Sequence, residues 1–207
     1  MGNTKGKIAE VSLALFNEYG IANVSQRMIA ERAGISPGNL TYHFKRREEI
    51  VHELYRQLVE KINARLDTRL VGTVSLSVLF TITTSMIAIL YEYRFFMLDF
   101  VHVMKGHPEI KAHHKTLSLT RENQFFELIS QLVSNGTMRP ERLPDEYKFL
   151  YMRLSILLDF WISSAAVSET DITKDTLDLY GQMILQSLFP YLTPQGETEY
   201  TSLYQPV

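Results

Sequence analysis

Ile50, Leu54, Leu58, Ile62 and Leu66 recur every four residues, with Val51, Tyr55 and Val59 beside them. An apolar stripe at that spacing, with its flanking apolar neighbours, reads as one face of a helix of about 20 residues. The same period runs through most of the chain, and no Asn-Gly or Asp-Gly hairpin signal separates alternating apolar runs. The expected fold class is therefore all-α. Breaks at Gly20, Gly34-Ile35-Ser36-Pro37, Gly72, Gly106-His107-Pro108, Asn135-Gly136, Pro140, Pro144 and Pro190 predict about nine helices. They are 4–19, 26–33, 37–43, 47–70, 73–91, 94–104, 108–134, 145–168 and 173–189. The tail after Pro194 lacks period and is expected to be poorly ordered.

With 207 residues, 45% hydrophobic and 21% charged, the chain has a globular balance rather than a disordered one. No cysteine is present, which removes disulfides, thiolate catalysis and cysteine-ligated zinc, and suggests a cytoplasmic location. The polar start, Met1 to Lys7, is not followed by the apolar run of a secretory signal. The segment Val71 to Tyr91 has no charge and enough length to span a bilayer. It also carries Gly72 and seven Ser or Thr residues from Thr73 to Ser85, so a helix buried in a helical body is expected instead, with no membrane partner.

Charge is unevenly placed. Residues 1–66 hold ten Lys or Arg and seven Asp or Glu, a balance of +3, while residues 67–207 hold eleven and sixteen, a balance of −5. A basic front on an acidic body suits a site-specific binder of nucleic acid.

Ser25 to Phe44, SQRMIAERAGISPGNLTYHF, lies in that front. Two short helices crossing steeply need a small residue at the crossing, and Ala30 supplies it. The turn needs positive φ, and Gly34 supplies that. Ser25 can cap the first helix. Ser36 can cap the second, with Pro37 at its first position. With Leu40 facing inward, Gly38 and Tyr42 point almost directly away, flanked by Asn39 and Thr41. These are the residues a major groove would meet, hydrogen-bonding through Asn39, Thr41 and Tyr42 and approaching closely at Gly38. Lys45, Arg46 and Arg47 follow at the start of the next helix, where Lys45 or Arg47 reads as a phosphate clamp.

On this run, IAEVSLALFNEYGIANVSQRMIAERAGISPGNLTYHFKRREEIV, residues 4–66 resemble the DNA-binding domain of the TetR family. Thr41 stands where that family usually has tyrosine, and Arg47 where it usually has lysine. The resemblance implies DNA contacts at Tyr42, His43 and Arg47. His43 lies only about 60° from the buried side of its helix, which also fits a packed histidine. The implied architecture is a helix-turn-helix domain (1–46) and a helical effector-binding and dimerisation domain (47–207), with helix 47–70 connecting the two. The implied partners are double-stranded DNA carrying an inverted-repeat operator and a second copy of the chain, docked through helices 145–168 and 173–189.

The implied function is a transcriptional repressor released from DNA by a small apolar ligand. A regulator without small-molecule input, controlled by a protein partner or by abundance, is the alternative. Phe96, Phe100, Met104, Phe126 and Trp161, together with Asp159, are the expected pocket residues. The apolar residues among them could simply fill a core. Asp159, set among apolar residues, needs a partner. The partner could be a ligand, a residue across a dimer, or Arg121 or Arg153. His102, His107, His113 and His114 lack His-x-x-x-His spacing, and no phosphate loop or nucleophile elbow is present. Neither a metal, a cofactor nor an enzyme activity is expected.

Overall fold

The computed structural model describes residues 4–67, 74–169 and 171–203. Residues 68–70 of the expected connecting helix, the Gly72 break and Thr73 lie outside the described residues, as do Met1 to Asn3. The described residues form helices α1 (Thr4–Tyr19), α2 (Gln26–Ala33), α3 (Pro37–His43), α4 (Arg47–Asp67), α5 (Leu76–Glu92) and α6 (Arg94–Leu98), followed by α7 (Phe100–Gly106), α8 (Pro108–Ser134), α9 (Glu146–Ser168), α10 (Lys174–Gln186) and α11 (Pro194–Leu203). Short 3-10 turns cover Ile21–Asn23 and Phe189–Tyr191. No strand is found among the described residues, and a single antiparallel bridge joins Met138 to Leu192.

α4 holds the molecule together. Its predicted stripe is buried from Ile50 through Leu58. One apolar cluster runs from Ile8, Phe16, Ile29 and Leu40 across this stripe to Phe95, Phe96, Trp161 and Ile184. Burial of this kind contributes about 25 cal/mol per Å² of apolar surface. The first three helices and the body thus share one core through α4.

Three elements differ from the sequence reading. The helix expected over 94–104 breaks at Asp99, whose φ of −104° and ψ of 20° leave the helical region. The break lets Phe95 pack on Phe16 of α1, at a centroid distance of 5.4 Å. It also lets Phe100 turn to His114 of α8 and Phe160 of α9, at 5.3 and 5.9 Å. The helix expected to reach 189 stops at Gln186. The tail after Pro194, expected to be poorly ordered, forms α11 as far as Leu203; residues 204–207 lie outside the described residues. Only Gly196 and Tyr200 of α11 are buried, a single contact one turn apart, too little to register as a period. Tyr200 meets Phe80 and Phe189 edge-on, at 5.4 and 5.3 Å. Glu199 accepts a hydrogen bond from the Leu76 N–H at 2.8 Å, capping α5 from across the chain.

α5 has 17 described residues, short for a span. α9 is instead the helix long and apolar enough to cross a bilayer by length and composition. Phe149, Met152, Ile156, Phe160 and Val167 are exposed along it, and Leu179 and Met183 on α10 are exposed as well. An outward apolar stripe on two helices of one body is the pattern of a surface that docks on another.

Candidate nucleic-acid interface and ligand cavity

The helix-turn-helix forms as its local chemistry demands. Ser25 Oγ accepts from the Met28 N–H at 3.3 Å, and Ser36 Oγ accepts from the Asn39 N–H at 3.2 Å. Gly34 takes the left-handed conformation, φ 65° and ψ 36°, where its N–H closes α2. Ala30 is buried at the crossing of α2 and α3, and Leu40 is buried beneath α3. The two serines are thus spent on capping, and their side chains are exposed at the helix starts.

The outward face of α3 carries Gly38, Asn39, Thr41 and Tyr42, all exposed. Tyr42 is 83% exposed. A phenol ring held that far into solvent is unusual unless something binds it. Thr41 Oγ1 donates back to Pro37 O at 2.9 Å, which leaves its methyl group and the two oxygen lone pairs for a partner. A Cβ built on Gly38 meets only Ser36 Oγ at 4.0 Å, so nothing inside the chain requires glycine there. His43 is half-buried and edge-on to Tyr42 at 5.2 Å, compatible with either of its expected roles.

Arg47 has partners inside the chain as well. Its Nη1 donates to Ile21 O at 2.9 Å, Val24 O at 3.2 Å and Ala22 O at 3.5 Å. The guanidinium closes the carbonyl end of the 3-10 turn between α1 and α2, because α4 starts directly beneath that turn. It acts as an internal staple, while the side chains of Lys45 and Arg46 remain exposed. The Lys45 N–H donates to Glu49 Oε2 at 2.9 Å, capping α4. No local signal near position 47 reveals the staple, since its carbonyl partners lie more than 20 residues away.

A cavity of about 300 Å³ lies in the body between α4, α5, α8 and α9. Of the six expected lining residues, Phe96, Phe100 and Asp159 border it and Met104, Phe126 and Trp161 do not. Trp161 is 1% exposed and packs at a tilt against Tyr180 at 5.3 Å, on the far side of α9. Met104 is packed in the core. Phe126 is 37% exposed, because its neighbour Phe125 takes the inward position on α8. The sequence reading missed Tyr55 and Ile62 of α4, Met86 of α5, Arg121 of α8 and Tyr151 of α9. The charge-free run of α5 up to Tyr91 and the inward i, i+4 steps of α4 were the available signals.

The charged groups and the titrating imidazole of the cavity lie along α8 and α9. Arg121 Nη1 donates to Gln124 Oε1 at 2.6 Å, and Nη2 donates to Asn63 Oδ1. Burial holds the His114 imidazole below its usual pKa, helped by nearby His113. Burial also pushes the Asp159 carboxyl up to about 6. Asp159 pairs with neither Arg121 nor Arg153; Arg153 instead donates to the Tyr191 hydroxyl at 2.6 Å.

The cavity wall is continuous with the helix-turn-helix support. Phe96 stacks on Tyr55 of α4 at 5.5 Å, and its neighbour Phe95 sits on Phe16 of α1. Asn17 of α1 brackets the α5–α6 junction, donating to Glu92 O at 2.8 Å and accepting from the Phe95 N–H at 3.0 Å.

Comparison with known proteins agrees with this architecture. The family model for bacterial regulatory proteins, tetR family, matches residues 8–54, and the TetR model for bacterial transcriptional repressors matches residues 54–200. The transcriptional repressor KstR2 of Mycobacterium tuberculosis is 37% identical over 65 residues, 31% of this chain and 32% of that protein. The chain thus matches about a third of that relative's length. The transcriptional regulator UidR of Escherichia coli is 21% identical over 172 residues, 83% of this chain and 85% of its own. A TetR-family regulator from Marinobacter aquaeolei superposes with a TM-score of 0.86 at 23% identity, covering 98% of this chain and 97% of its own. With both models matched end to end and the helix-turn-helix formed as described, the chain belongs to the TetR family of bacterial transcriptional regulators.

Proposed function

We propose that this chain is a repressor that binds an inverted-repeat operator as a homodimer and is released by a small, largely apolar ligand in the body cavity. The observation that carries the ligand-controlled part is the shared wall: Phe96 borders the cavity while Phe95 is seated on α1. A ligand that displaces α6 would move α1 and α4 together, and with them the exposed face of α3. That is a differential contact, which coupling between two sites requires. Asn39, Thr41 and Tyr42 read bases, and Lys45 meets phosphate. Ser25, Ser36 and Gly38 frame the approach. The exposed stripe of α9 and α10 forms the two-fold interface, which relates two α3 helices to two half-sites. A soluble dimer in the cytoplasm accounts for the apolarity of α9 without a membrane.

The test is operator selection from a random DNA pool at stated salt, followed by anisotropy titration. The selected site should be an inverted repeat. Tyr42→Ala should weaken it by about 1–3 kcal/mol with little change on unrelated DNA. A selected site without two-fold symmetry, or a chain that sediments as a monomer while bound, would refute the proposal. The cavity favours this reading over a regulator controlled only by a protein partner or by abundance.

A further inference from the structure

Asp159 is the only carboxylate among the described residues of the cavity wall. It accepts no hydrogen bond and makes no ion pair among the described residues. The other charged group of the wall, Arg121, is bonded to Asn63 and Gln124. The facing groups from the surrounding helices are His114 on α8, Tyr55 on α4 and Tyr151 on α9 itself. The Tyr55 hydroxyl is bonded to His113 Nδ1 at 2.9 Å and the Tyr151 hydroxyl donates to Ser118 O at 3.0 Å. Among the described residues of this wall, Asp159 is therefore the charged group left without a hydrogen-bond or ion-pair partner.

Aromatic rings border the same cavity as that charge: Phe96 and Phe100 meet edge-on at 6.1 Å, and Tyr55 stacks on Phe96. The remaining wall is aliphatic, with Leu58, Val59 and Ile62 of α4 facing Ile82 and Met86 of α5.

We infer that the effector is a lipophilic cation, an apolar body carrying an ammonium head, with Asp159 as its counter-charge and Phe100 beside the head. The inference rests on the proposal that the cavity is the effector site. An ammonium head satisfies the carboxylate electrostatically and gains from aromatic faces. The aliphatic wall takes the hydrocarbon. A neutral ligand would leave the charge uncompensated in an apolar chamber, and an anion would be repelled by it.

Three probes with one chain and different heads separate these cases: decyltrimethylammonium, decan-1-ol and decanoate, titrated below micelle formation into the full chain at pH 7.5 by calorimetry. Decyltrimethylammonium should bind at least tenfold tighter than the other two and should displace selected operator DNA. Asp159→Asn should lose that preference while keeping its affinity for decan-1-ol, which shows that the cavity is intact. Wild-type affinity for the cation should fall between pH 7 and pH 5 as Asp159 takes up its proton. His114 protonation would act in the same direction, so His114→Gln must keep most of the fall. Equal binding of all three probes, tightest binding of decanoate, or an unchanged cation preference in Asp159→Asn overturns the inference while leaving the cavity as a ligand site. No binding of any probe, with operator still bound, overturns both.

Discussion

Replacing Asp159 by asparagine probes the electrostatics of the cavity directly. The change keeps shape and removes a charge that nothing in the described structure compensates. Burial raises the carboxyl from 3.8 to about 6, so the folded chain holds this proton more tightly than the unfolded chain does. The ionised form is therefore disfavoured by folding. The penalty is absent below the unfolded pKa, grows as pH rises from about 4 to about 6, and is complete above that. At roughly 1.4 kcal/mol per pH unit the shift corresponds to at most about 3 kcal/mol. Asp159 is not fully buried, and the amide itself needs hydrogen bonds, so about half of that is expected, ~1.5 kcal/mol. For a chain of this size that raises Tm by roughly 3–6 °C. The assay is urea or thermal unfolding of both proteins at one concentration, at pH 7.5, 6 and 5. Asp159→Asn should be the more stable at pH 7.5, and the gap should shrink to about half by pH 5. A variant less stable than wild type at pH 7.5, or a gap that ignores pH, would refute the account of Asp159 as an uncompensated buried charge.

Arg47→Ala should destabilise the helix-turn-helix by about 1–3 kcal/mol, because it leaves the carbonyls of Ile21 and Val24 without their charged donor; hydrogen exchange should show earlier opening of α1 and α2, and unchanged protection there would return the residue to a purely phosphate role. Gly38→Ala should leave Tm unchanged or raise it slightly, since glycine inside a helix costs about 0.5–1 kcal/mol relative to alanine and no atom of the chain blocks the new methyl, while operator affinity measured by anisotropy falls because the backbone can no longer approach DNA as closely. Gly196→Ala should release α11, since a Cβ there would lie 2.1 Å from Thr137 O; limited proteolysis should then cut after Pro194, and an uncut tail would mean that the backbone shifts to admit the methyl.

How much of this protein is legible in its sequence follows from how far each determinant reaches along the chain. The caps at Ser25 and Ser36, the left-handed Gly34, the small Ala30 and the stripe from Ile50 to Leu66 are decided within one or two helical turns. Sequence spacing alone placed α1 through α4, and the outward set Gly38, Asn39, Thr41 and Tyr42 followed from helical geometry. The family resemblance rested on the same short-range pattern. What the tertiary structure decided depends on partners far apart in the chain. Arg47 finds carbonyls more than 20 residues back, and Glu199 caps α5 from 123 residues away. The cavity takes its walls from helices α4 to α10, so helical period shows that residues such as Phe125 and Phe126 sit near the body but not which one points inward. Trp161 and Asp159 lie two residues apart on α9, on different faces, and only the position of α10 against one of them made it core and left the other beside the cavity. Periodicity assigns a face to a residue, whereas the neighbouring helices determine what that face meets.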